Sequence, residues 1–144
     1  ESVIHRFGPT PEPPDTGTLR GDLMAIMEAA CQVANSSDGA VIMGLMSAAA
    51  RDPELSRTLF RCVYETKHVM YESMIDRAVR RGEVPTGTDP KLLHEVLHAM
   101  VLTHKLWSPG TLDQEFVVRV VDDVLMPVLR HPSGAGSGGE HPTA

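Results

Sequence analysis

Two Asp-Pro pairs, Asp52-Pro53 and Asp89-Pro90, do most to limit what this chain can fold into. Asp is a favoured helix N-cap. Pro suits the first helical position, where its missing N–H is a donor the helix leaves unpaired anyway. Each pair therefore opens a helix. After the first, Leu55, Leu59, Val63, Val69, Met70, Met74 and Ala78 carry the apolar pattern to Arg80-Arg81-Gly82-Glu83. Gly82 supplies a stop, and Arg77, Arg80 and Arg81 suit the negative end of a helix dipole. The pattern is a long helix, a basic last turn, a tight break and a second long helix.

The rest of the chain follows the same grammar. Residues 1–7 read as a short helical remnant. Residues 8–17 hold four prolines, which bars a helix or strand interior and makes a linker. Thr18 caps a helix over about 19–35, Ser36-Ser37-Asp38 breaks it, and a Met-rich helix runs on to about residue 51. Further helices span 53–81, 90–107 and about 112–129. In the last of these, Val117, Val118, Val120, Val121, Val124, Leu125 and Val128 recur at helical rather than alternating spacing. Pro127 is expected to kink that helix or end it early. Residues 18–130 thus form one all-α domain of five helices, and the Gly/Ser/Pro-rich residues 131–144 form a disordered tail.

Charge and cysteine usage exclude several function classes. The net charge of −6 argues against this piece gripping DNA alone, because duplex binding rests on clustered Lys and Arg that neutralise phosphates. No apolar stretch reaches the roughly 18 to 20 residues that cross a bilayer. Cys31 and Cys62 are far apart and lie in helical patterns, so they read as free thiols in a reducing cytoplasm. The chain starts at Glu1 with no initiator Met and no signal peptide, so it is expected to be cut from a longer protein.

One segment spells a competing chemistry. His94-Glu95-Val96-Leu97-His98 fits the zinc-peptidase pattern, in which two histidines share a helix face and a glutamate activates a metal-bound water. His104 even falls where a third ligand stands in HExxHxxGxxH. In that pattern a Gly ends the helix and lets the third His swing back. Here the position is Val101, inside a run that continues the helix. On an unbroken helix His104 lies roughly 80° from His94 and roughly 120° from His98, out of reach of their site. The expectation is no metal and no catalytic residues, with a zinc hydrolase as the alternative reading.

The segments "PDTGTLRGDL", "AARDPEL" and "RAVRRGEV…DP" closely resemble the C-terminal effector-binding and dimerisation domain of the tetracycline-repressor (TetR/AcrR) family of transcriptional regulators. The likeness covers about residues 15–130. It implies that residues 1–7 end a helix connecting to an N-terminal helix-turn-helix domain outside this chain. Operator DNA would then be bound only through that domain. It also implies a repressor that responds to a small apolar or amphipathic effector, with no cofactor and no membrane partner.

The resemblance further implies a homodimer whose last two long helices form a four-helix bundle. Leu93, Leu97, Val101, Phe116, Val117, Val121 and Val124 are the expected interface residues; those helices are apolar over more surface than one core requires. The family's effector pocket lies among the first four helices. Phe60, Tyr64, Lys67, Tyr71 and Ile75 fall on one helix face, with His68 beside them. The expected ligand-binding residues are Met27, Cys31, Met46, Phe60, Tyr64, Lys67, His68, Tyr71, His98 and Trp107. Methionines at helical spacing read first as core, yet they also suit adaptable pockets.

Overall fold

A computed structural model describes residues 12–108 and 110–131. Five helices and no strand occur among the described residues: α1 (Leu19–Asn35), α2 (Ser37–Ala49), α3 (residues 53–80), α4 (Pro90–Trp107) and α5 (residues 114–130). The expected remnant at 1–7, the first part of the linker and the tail from 132 lie outside the described residues.

The capping residues act as their chemistry dictates. Thr18 Oγ1 accepts from the Gly21 N–H at 3.0 Å and opens α1. Asp52 accepts from the N–H groups of Glu54 and Leu55 at 3.0 and 3.2 Å, and Asp89 from Lys91 at 2.9 Å. Asp113 caps α5 through the Phe116 N–H at 3.0 Å, so that helix starts at Gln114 and not at 112. The second helix ends at Ala49, two residues before the expected Arg51. Gly82, at φ 75°, terminates α3, and the Glu83 N–H returns to the Ala78 carbonyl at 2.9 Å.

Two helices change hydrogen-bond register midway. α3 is α-helical over Pro53–Leu59, widens to a π-helical turn over Phe60–Glu65, and returns to α over Thr66–Arg80. α5 does the same, with Gln114–Val120, a π-helical Val121–Leu125, and Met126–Arg130. Pro127 therefore does not end α5. Its ring and missing N–H conflict with the ordinary i→i−4 ladder, and the wide turn just before it relieves that conflict.

The core is asymmetric. Leu19, Leu23, Ile26, Met27 and Cys31 of α1 meet Met70, Tyr71, Met74, Ile75 and Ala78 of the second half of α3. Leu93, Leu97 and Val101 of α4 close one side; Phe116, Val117, Val120, Val121, Leu125, Met126 and Leu129 of α5 close the other. By contrast, only Gly39 of α2 is fully buried, and no residue of 53–65 is. Val41, Met46 and Phe60 stand exposed there.

The basic turn of α3 does more than complement its own dipole. Asp22, fully buried, accepts at 2.8 Å from both the N–H and the hydroxyl of Thr16. Its other oxygen lies 3.6 Å from the Arg81 guanidinium and 3.9 Å from that of Arg77. Arg77 also donates to the Pro14 carbonyl, and Glu83 accepts from the Leu19 N–H at 2.8 Å while pairing with Arg81. The end of α3 is thereby clamped to the start of α1.

At the α1–α2 corner, a Cβ added to Gly39 would meet the carbonyl oxygens of Ala34 and Val33 at 2.4 and 2.7 Å. Both are backbone atoms that cannot yield alone. Gly39→Ala is expected to cost about 1–3 kcal/mol in urea unfolding. Wild-type stability in that variant would show that α2 pivots freely against α1.

Candidate functional site

The helical spacing of α3 places Tyr64 and Tyr71 two turns apart, and His94 of α4 sits between them. The His94 ring is parallel to Tyr64 within 1° at a centroid distance of 4.7 Å, and to Tyr71 within 22° at 4.5 Å. Phe60 continues the stack on Tyr64 at 4.7 Å. His98 lies tilted against His94 at 4.4 Å, and His68 stacks beside Tyr64 at 5.6 Å. The π-helical turn at Phe60–Glu65 carries Phe60 and Tyr64; such turns recur at functional sites.

This ring stack runs from core to surface. Tyr71 and His94 are buried, Tyr64, His68 and His98 half-buried, and Phe60 is 50% exposed. Its polar atoms are under-used. Tyr64 Oη, His68 Nδ1 and His94 Nδ1 are buried and have no hydrogen-bond partner among the described residues. His68 Nε2 faces Glu72 at 3.1 Å, and His98 Nδ1 lies 3.0 Å from the His94 carbonyl oxygen.

Burial sets the protonation. It pushes the His94 imidazole down to about 3, and the fields of His98, Lys67 and His68 act in the same direction. His98 is also lowered, chiefly by burial, as is the Lys67 ammonium. Burial raises both tyrosine hydroxyls. At neutral pH the site therefore presents neutral His94 and His98 rings, phenol donors and one partly desolvated cation.

The expected binding residues divide. Phe60, Tyr64, His68, Tyr71 and His98 join the stack, and the field of Lys67 reaches His94 and His98. Met27 and Cys31 are core residues of α1, and burial raises the Cys31 thiol to about 11. Met46 stands exposed on α2, and Trp107 is 78% exposed at the end of α4. A polar groove of about 340 Å³ lies elsewhere, between α1 and the start of α5, lined by Glu28, Gln32, Asn35 and Asp113 among others. The stack, not the groove, gathers the aromatic rings and the unpartnered polar atoms.

His94, which the zinc pattern marks as a candidate ligand, is instead a buried ring of the stack. Its signal was its spacing: His94, Leu97 and Val101 fall at i, i+3 and i+7, the buried stripe of α4. Glu95 points outward, 3.8 Å from Lys91. α4 continues unbroken past Val101, and His104 stacks on Phe116 at 4.3 Å, away from the other two histidines. Of the expected interface residues, Leu93, Leu97, Val101, Phe116, Val117 and Val121 pack inside the single chain, and Val124 is half-buried.

Residues 13–124 match the family model for the tetracyclin repressor-like, C-terminal domain. The DNA-binding transcriptional repressor TetR of Mycobacteroides abscessus is 37% identical over 116 residues, covering 81% of this chain and 60% of that protein. Uncharacterized HTH-type transcriptional regulators of Mycobacterium bovis and Mycobacterium tuberculosis are each 25% identical over 122 residues, covering 85% of this chain and 60% of each relative. The chain thus spans about 60% of the length of the curated relatives it matches. No solved structure matches.

Proposed function

This chain belongs to the tetracyclin repressor-like C-terminal domain family, a family of transcriptional regulators and not of enzymes, and from that premise we propose that it is the effector-sensing and dimerisation domain of a cytoplasmic repressor. The observation that carries the sensing role is the ring stack around His94. A planar ligand could extend or enter the stack at its exposed Phe60 end, and three buried polar atoms along it lack partners among the described residues.

Dimerisation uses the outer flank of the last two helices. Leu92, Val96 and Met100 form a half-buried stripe at i, i+4 and i+8 on α4, and Val124 and Val128 lie one turn apart on α5. Exposed Leu106 and Trp107 extend that apolar surface. The expected core-facing residues beside them support the stripe from within. Operator DNA is bound by a helix-turn-helix domain elsewhere in the full regulator. An effector that fits one arrangement of the two subunits better than the other shifts the spacing of those domains.

Sedimentation equilibrium of this chain tests the dimer. A dimer at micromolar concentration that Val96→Glu dissociates is the expected result. A wild-type monomer at 100 μM would remove the dimerisation role.

A further inference from the structure

The chemistry of the ring stack narrows what it takes, an inference that rests on reading the stack as the effector site. Lys67 lies between Tyr64 and Tyr71 on the same face of α3, three and four residues from each. It is half-buried, and no carboxylate among the described residues pairs with it. A cation drawn partly out of water without a counter-ion is costly, and a bound anion would offset that cost. The His94 and His98 imidazoles and the Tyr64 phenol that face the stack are uncharged at neutral pH.

The remaining charges set the sign and its size. Glu72 already faces His68, and Glu95 is turned toward Lys91, while Asp89 and Glu95 project a negative field onto Tyr64. Lys67 can balance one negative charge on a ligand, and a second would stand unbalanced beside these acids. A cationic ligand would meet Lys67 and be repelled. The phenol of Tyr64 is a donor, and His94 Nδ1 can donate or accept according to its tautomer.

We propose that the stack binds a planar aromatic monoacid, its ring inserted between Phe60 and Tyr64 by opening their 4.7 Å contact, its carboxylate on Lys67 Nζ, and its polar edge toward Tyr64 Oη and His94 Nδ1. The half-exposed Phe60 is the entry side. Entry moves the Phe60–Glu65 turn, the stretch of α3 that has no fully buried residue and departs from regular helix.

The test pairs charged and neutral probes of one shape. Binding of 2-naphthoate and 2-naphthamide to the chain is followed by calorimetry, and the imidazole C–H resonances of His94 and His98 report the place. Naphthoate is expected to bind at least tenfold more tightly than the amide and to shift both resonances. Lys67→Met should abolish that preference, and Lys67→Arg should retain most of it. Circular dichroism checks that both variants fold. Equal affinity of acid and amide, with both resonances shifted, overturns the acid preference and leaves the effector site standing. Resonances that neither probe moves overturn both.

Discussion

Asp22→Ala is expected to lower the stability of the chain by about 3–5 kcal/mol, the range for removing one partner of a buried ion pair. Asp22 is fully buried, and four groups converge on it: the Thr16 N–H, the Thr16 hydroxyl, and the guanidinium groups of Arg77 and Arg81. Truncation leaves two arginines, each about a quarter exposed, without their shared counter-charge. It also frees the segment before α1, which Arg77 holds at Pro14. Asp22→Asn separates the contributions. It keeps an acceptor for Thr16 but loses the charge, so its midpoint should fall between wild type and Asp22→Ala. Thermal unfolding reads both, with a drop of roughly 10–20 °C for Asp22→Ala. A change of less than 1 kcal/mol would mean that Glu83 alone holds the two helix ends together.

Acid should destabilise the protein through His94. The folded ring is neutral and stays so down to about 3, whereas the unfolded imidazole titrates near its ordinary 6.5. Between those values the unfolded chain binds a proton that the folded chain refuses, so stability rises with pH across the window and is lost as pH falls through it. At pH 4.5 the loss from His94 amounts to about 3 kcal/mol, at about 1.4 kcal/mol per unit. His98, lowered for the same reason, adds to it.

His94→Phe removes the titration and keeps a ring between Tyr64 and Tyr71. It also removes the unpartnered Nδ1, so stability at pH 7 should change by less than about 1 kcal/mol. The variant should lose less than half as much midpoint temperature as wild type between pH 7 and 4.5. Parallel pH profiles for the two proteins would show that His94 does not carry the acid sensitivity. Asp122, held low by its bond to Arg20, acts in the same direction but at lower pH, so it does not imitate the effect above pH 4.5.

Much of this fold is legible in the sequence because its boundaries are set locally. Thr18, Asp52-Pro53, Gly82 and Asp89-Pro90 act through hydrogen bonds spanning at most five residues, and their helices begin and end within a residue of the expected places. The end of α5 is less legible. A proline inside a helical pattern signals a break, and only the register change at Val121–Leu125 resolves the conflict. The basic turn is misleading for another reason. Arg77 and Arg81 suit their own helix end by rule, but both also reach Asp22, more than 50 residues away.

The candidate site was half legible. The spacing of Phe60, Tyr64, Lys67 and Tyr71 marks one face of one helix, and that face carries three rings of the stack. The partner that completes it is not marked. His94 draws attention as part of HEVLH, and a local motif outweighed the buried stripe on which it lies. Met46 and Trp107 show the limit of composition. Each suits a pocket by residue type, yet each stands exposed, because exposure depends on where the helices cross.

The uneven core has an entropic consequence. α1 and the second half of α3 supply much of the buried core, while α2 and residues 53–65 add only Gly39 to the fully buried residues. A ligand that enters beside Phe60 therefore meets one stiff wall and one compliant wall. Ordering the compliant wall subtracts from affinity, since each residue fixed costs about 1–2 kcal/mol of conformational freedom. On the proposed reading, the same softness would let one stack accommodate rings of different outline. Any mutation that stiffens α2 in advance should tighten binding of one shape and narrow the range of the others.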